Sequence, residues 1–178
     1  REIIPWIDTN YNTKPSRGFR VIQGFSMGGY GASLLAVKFP ELFSVCINYD
    51  GGMWNWEDMT SKSRKWQPVA PVLFDNDKIY YESNSSPWKF ANLNKDKIKG
   101  QLQFRTLVGS LGLRLQKWRN HLTSLEIEMD YVDTECKHNL KCLHEKAGDG
   151  SFRLMGEQFA KALTSEAKTG EELKVEGK

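Results

Sequence analysis

Arg20-Val21-Ile22-Gln23-Gly24-Phe25-Ser26-Met27-Gly28-Gly29-Tyr30-Gly31-Ala32 is the stretch that decides the fold. Gly24-Phe25-Ser26-Met27-Gly28 is a Gly-x-Ser-x-Gly motif. It sits between an apolar run over residues 19–23, which reads as a strand, and a helical pattern over residues 27–38. That context makes the motif a nucleophile elbow: the serine stands on a tight strand-to-helix turn with its hydroxyl exposed above the sheet. Glycines on either side of the serine relieve the crowding of such a turn. The helix that follows directs unpaired N–H groups and its positive dipole end at the same point, where developing negative charge is stabilised.

Working outward, apolar strands alternate with helical stretches. Residues 3–9 read as a helix whose Pro5 is tolerated in the first turn. After the elbow helix, stopped at Phe39-Pro40, residues 43–49 form a second strand that ends at Asp50-Gly51-Gly52. Residues 53–95 are irregular and rich in Trp, Asn, Ser and Pro, the mark of a long surface excursion with short helices. A third strand covers 102–108, a helix 114–125, a fourth strand 127–132, and helices 140–146 and 152–163. Residues 164–178 are charged without apolar periodicity and read as a mobile tail. This alternation predicts an α/β fold, a mostly parallel sheet with helices on both faces. Four strands are few for such a sheet, and the elbow strand is apolar on both faces, as a central strand is. We therefore expect it to lie at an open edge, completed by a missing N-terminal segment or by a partner chain.

Composition narrows the function classes. The chain has 178 residues and a formal net charge of +3. Its Lys and Glu residues are scattered, so a nucleic-acid partner is not expected. No apolar run approaches the ~20 residues that span a bilayer. The chain opens at Arg1 in a helical stretch without a signal-peptide pattern. Its three cysteines cannot make a complete disulfide framework, which favours reduced thiols.

The elbow segment, followed by Phe39-Pro40-Glu41-Leu42-Phe43-Ser44, resembles the putative-esterase family of α/β-hydrolases. That family includes feruloyl and acetylxylan esterases, S-formylglutathione hydrolases and mycolyltransferases. Further matching stretches are Ser86-Pro87-Trp88, residues 98–109, and residues 132–146 with His138-Asn139. The resemblance covers about residues 2–163, roughly the C-terminal two thirds of a family member. It implies an α/β-hydrolase domain over 1–163, with 53–95 as a cleft-lining excursion and 164–178 as a charged tail.

The resemblance further implies a Ser–acid–His triad in that chain order, with Ser26 as nucleophile and no cofactor. Of the three histidines, His138 follows the fourth strand on the rim where the base must sit. His121 and His144 read as surface or core residues. The family places its acid after the third strand, in a Gly-x-x-Asp turn. Here that turn is Gly109-Ser110-Leu111-Gly112-Leu113, without a carboxylate. Two substitutes stay open: Asp50 at the end of the second strand, as in some lipases, and Asp133 near His138. Each also reads as an ordinary turn or strand-end residue. The backbone N–H of Met27 is one oxyanion-hole donor; the second comes, in this superfamily, from a loop after an early strand. Trp54 and Trp56 are candidates for the wall of the substrate cleft, while Trp66 and Trp88 read as residues that hold the excursion together.

Cys136, His138, Cys142 and His144 offer sulfur and imidazole donors at short spacing. The Cys-x-His-x₃-Cys-x-His order is not a usual zinc pattern, so no metal is expected. A Cys136–Cys142 disulfide is set aside likewise. The expected function is hydrolysis of a small-molecule or carbohydrate-linked carboxylic ester through an acyl-enzyme. The alternatives are an acyltransferase using the same intermediate and a non-catalytic homologue that serves as a binding or assembly subunit.

Overall fold

The computed structural model describes residues 2–62 and 68–176. Helix α1 (Ile3–Asn10) leads through a 3₁₀ turn (Arg17–Phe19) into β1 (Val21–Phe25) and then α2 (Met27–Lys38). Strand β2 (Val45–Tyr49) is followed by five short helices, α3 (Trp56–Thr60), α4 (Ala70–Phe74), α5 (Lys78–Asn84), α6 (Pro87–Leu93) and α7 (Lys95–Ile98). Then come β3 (Gln103–Val108), α8 (Gly112–Ser124), β4 (Met129–Asp133), α9 (Leu140–Ala147) and α10 (Gly150–Glu176).

The strands form one parallel sheet in the order β1-β2-β3-β4. Parallel neighbours need right-handed crossovers, and an order that always steps the same way puts every crossover on one face. Accordingly, α2, α6 and α8 pack on one side through Ala32, Ala36, Val37, Ala91, Leu115, Trp118 and Leu122, against Cys46, Phe104 and Val108 of the sheet. The opposite face, with Val45, Ile47, Tyr49 and Leu107, is covered by Leu143 of α9 and by Leu154 and Met155 of α10. Strand β2 is buried along its whole length, which is why it reads as a continuous apolar run. Its odd-numbered residues face α9 and α10, whereas Cys46 and Asn48 face α2.

Two elements differ from the sequence-based expectation. The first strand starts at Val21, because Arg17–Phe19 turn as 3₁₀ helix and Arg17 Nε is drawn to the carbonyl of Pro40 at 2.9 Å. Strand β1 therefore runs through Gly24 and Phe25, leaving Ser26 alone at the bend. It lies at the edge of the sheet and pairs only with β2 among the described residues. The segment after Leu163, expected as a mobile tail, continues α10 to Glu176. It carries no proline, Ala, Glu and Lys favour helix, and Glu166 reaches Ser16 (3.4 Å) and Lys14 (3.6 Å). Beneath that contact, Phe159 packs on Phe19 with ring centroids 6.0 Å apart.

Candidate active site

Four chain segments leave the sheet at the same end, and each brings one part of the site. Ser26 follows β1, Asp50 follows β2, Gly109 and Leu111 follow β3, and His138 follows β4. The C-terminal ends of parallel strands are where open α/β sheets present functional groups.

Ser26 has φ 57° and ψ −120°, a conformation a non-glycine residue adopts only when its surroundings impose it. The bend is held by Ser26 N–H donating to the Tyr49 carbonyl at 3.0 Å and by Tyr30 N–H donating to the Ser26 carbonyl at 3.1 Å. The two motif glycines are not equivalent. A Cβ on Gly24 would lie 2.2 Å from the Gly28 carbonyl, so this glycine is needed for strand and helix to approach. A Cβ on Gly28 would meet nothing within 4 Å. The crowding expected on both sides of the serine thus falls on one side, and the second close approach is that of Gly29 to Asn48.

His138 Nε2 is 2.8 Å from Ser26 Oγ, and its Nδ1 is 2.7 Å from Asp50 Oδ2. Its ring stacks on Phe25, centroids 4.6 Å apart. The Asp50 carboxylate is fully buried, whereas His138 keeps 36% side-chain exposure. A buried carboxylate is tolerated only where donors surround it. The second oxygen of Asp50 accepts from the Gly109 N–H at 2.9 Å and the Leu111 N–H at 3.1 Å. Since ionised Asp50 can only accept, His138 donates from Nδ1, which leaves Nε2 as acceptor for the Ser26 hydroxyl.

Of the two open acid candidates, Asp50 is the one brought to His138. Asp133 ends β4, is exposed, and accepts from the Glu135 N–H at 3.1 Å. His121 lies against Trp88 and Trp118, where burial lowers its pKa, and His144 packs on Tyr49 at 4.8 Å. Met27 occupies the first turn of α2 with its side chain 84% exposed. Its N–H is among the helix donors that have no intrahelical partner. Trp54 lies beside Gly52, close to Leu111, and carries the Arg114 guanidinium 4.3 Å over its ring. Trp56 packs on Tyr81 at 5.5 Å within the small cluster around Met59 and Ala70. Trp88 packs edge-on against Trp118, and Trp66 lies outside the described residues.

Cys136 and Cys142 are joined by a disulfide, which overturns the expectation of reduced thiols at these positions. Their Cα atoms come to 6.0 Å because the loop after β4 turns back into α9. Among the described residues no cluster of His, Cys, Asp and Glu is arranged to hold a metal ion. No helix there is long and apolar enough to cross a membrane.

Sequence reasoning passed over Asn48. This buried side chain accepts from the Gly51 N–H at 2.6 Å and donates to the Gly51 carbonyl at 3.1 Å and to Ser33 Oγ at 3.0 Å. It thereby shapes the turn that presents Asp50, which has φ 47°. The available signal was a lone amide in an otherwise apolar strand, two residues before Asp50.

Gly109 gives the first test of this geometry. A Cβ there would lie 2.9 Å from Asp50 Oδ2 and 3.1 Å from the Cys136 carbonyl. In Gly109→Ala we expect the carboxylate to be displaced from His138. If the site is hydrolytic, turnover then falls about 10²-fold, the cost of an ångström-scale misplacement. Steady-state kinetics with a parallel melting curve check this; unchanged turnover would mean that the carboxylate position is not critical.

A family model described as "Putative esterase" matches residues 1–101, more than half of the chain. The chain belongs to the putative esterase family. It is 36% identical to esterases from two strains of Mycobacterium tuberculosis, with 63% of this chain and 32% of those proteins covered. It thus spans about a third of the length of these curated relatives. An endo-1,4-beta-xylanase/feruloyl esterase of Xylanibacter ruminicola is 36% identical over 33% of this chain and 8% of its own length. Among solved structures, S-formylglutathione hydrolase of Staphylococcus aureus superposes with a TM-score of 0.67 at 13% identity, covering 89% of this chain and 61% of that one. A ferulic acid esterase gives 0.67 at 18% identity, covering 89% and 59%. These likenesses show the α/β-hydrolase fold for this putative esterase.

Proposed function

We propose that the protein is a serine esterase that cleaves carboxylic esters through an acyl-enzyme on Ser26. The observation that carries this reading is the unbroken relay from the Ser26 hydroxyl through His138 to the buried Asp50. A serine hydroxyl is a weak nucleophile until a base within hydrogen-bond reach takes its proton. His138 Nε2 removes that proton as Ser26 Oγ attacks the ester carbonyl. The resulting imidazolium is stabilised by Asp50, which keeps its own negative charge. The oxyanion lies over the first turn of α2, where the Met27 N–H and the helix dipole face it. His138 then passes its proton to the leaving alcohol, and water repeats the sequence to release the acid.

The family includes feruloyl esterases, and Trp54 offers an aromatic face near the end of β2, so sugar esters of aromatic acids are the substrates to try first. The outer edge of β1 is where a further strand, from the same protein or a partner, would extend the sheet. The test is a p-nitrophenyl acetate assay alongside labelling with a fluorophosphonate probe. We expect a burst of nitrophenol equal to the enzyme concentration and stoichiometric labelling at Ser26. Neither burst nor labelling, in folded protein, would favour a non-catalytic homologue.

A further inference from the structure

The Cys136–Cys142 bridge encloses His138. The loop it closes holds Lys137, His138 and Asn139, then the first turn of α9. Both ends are anchored. Cys136 is buried in the core layer that contains Leu143, and its N–H donates to Thr134 Oγ1 at 3.3 Å. The Cys142 N–H donates to Asn139 Oδ1 at 3.0 Å, capping α9. Between these anchors His138 is exposed, and apart from its stacking on Phe25 its partners among the described residues are Asp50 and Ser26.

We propose that the Cys136–Cys142 disulfide is a positioning element for His138, holding the imidazole on the line between Asp50 and Ser26, and that its reduction uncouples the site without unfolding the protein. The inference rests on the esterase reading for its activity arm only. Three observations support it. The cysteines are six positions apart, and closing so short a loop restrains the unfolded chain much less than closing a long one. The bridge therefore acts chiefly on local geometry. Second, α9 keeps its own anchor in the fully buried Leu143 and its Asn139 cap, so opening the bridge does not release the helix. Third, Cys46 does not compete for the pairing. It is a free thiol buried in the opposite core layer, where burial pushes its pKa up to about 12, and exchange requires an accessible thiolate.

Opening the bridge is a two-electron reduction. With dithiothreitol as reductant, both of its thiols are oxidised to the cyclic disulfide, and Cys136 and Cys142 each become a thiol. His138 is then carried by a loop fixed at one point fewer, and its two hydrogen bonds must be made at the expense of loop freedom.

The experiment compares the oxidised protein, the dithiothreitol-reduced protein and Cys142→Ala. We expect reduction to lower kcat for p-nitrophenyl acetate about 10²-fold, as for other ångström-scale misplacements. KM should stay within about twofold, since groups that contact only bound substrate are untouched. Reoxidation should restore kcat, and Cys142→Ala should be slow and indifferent to dithiothreitol. Independently of activity, the downfield proton resonance of the His138 Nδ1–H bonded to Asp50 should be present in the oxidised protein. It should broaden or vanish on reduction, while far-ultraviolet circular dichroism stays unchanged. Reduced protein with full kcat and an intact downfield resonance overturns the proposal. So does a loss of kcat that tracks loss of the circular dichroism signal. If the oxidised protein has no esterase activity, the resonance still decides the positioning role, so the two readings fail separately.

Discussion

Ser26→Ala is expected to lower the turnover of p-nitrophenyl acetate by about 10⁶-fold, the scale seen when a triad serine is removed. Fluorophosphonate labelling should disappear with it. The substitution deletes the atom on which the proposed acyl-enzyme would form and nothing else on which the fold depends. The bend at Ser26 is held by main-chain bonds to Tyr49 and Tyr30, and alanine has the same Cβ as serine at φ 57°. The melting temperature should therefore stay close to that of the parent. Residual activity above the buffer rate would come from groups facing the oxyanion, which do not need the serine. Labelling that persists in Ser26→Ala would falsify the assignment of the nucleophile.

Asp50→Asn should cost about 10⁴-fold in turnover, as the equivalent change does in a serine protease. The size of the effect follows from the partners of the carboxylate. Its Oδ1 faces two N–H donors, from Gly109 and Leu111, so the oxygen of a replacing amide must take that side. The amide nitrogen then faces His138 Nδ1, a donor opposite a donor. The imidazole can satisfy it only by moving its proton to Nε2, and a protonated Nε2 cannot accept from the Ser26 hydroxyl. The same change at Asp133, whose carboxylate among the described residues bonds locally to Glu135, should leave turnover unchanged. Equal losses at the two positions would argue that Asp50 acts through stability alone, and melting curves of both variants separate the cases.

The nucleophile turn was readable because its signal is local: a strand, a helix, and a glycine two residues before the serine. The placement of His138 beside Ser26 was readable from its position after the fourth strand and from the likeness of His138-Asn139 to the family. The acid was not decidable, because sequence offers only spacing, and the ends of neighbouring strands converge in space. From the end of β2, Asp50 reaches His138, and Gly109 after β3 has no Cβ to obstruct it. The disulfide was missed for a different reason. Three cysteines read as reduced thiols, yet a loop that reverses into α9 brings the Cα atoms of Cys136 and Cys142 to bonding separation. The helical continuation past Leu163 was passed over because the segment lacks apolar periodicity, although its composition favours helix; the Ser16–Glu166 contact, between residues 150 positions apart, adds a tie that no local pattern records.

The turn after β3 supports Asp50 with main-chain N–H groups alone. An amide donor is supplied by every amino acid except proline, so Gly109 is constrained by space while Ser110, between the two donors, carries no chemical duty in the relay. A laboratory library that randomises the exposed Ser110 should therefore leave the two main-chain contacts to Asp50 intact. The turn thus constrains this chain by main-chain geometry and by space at Gly109, and leaves the side chain between its two donors open to variation.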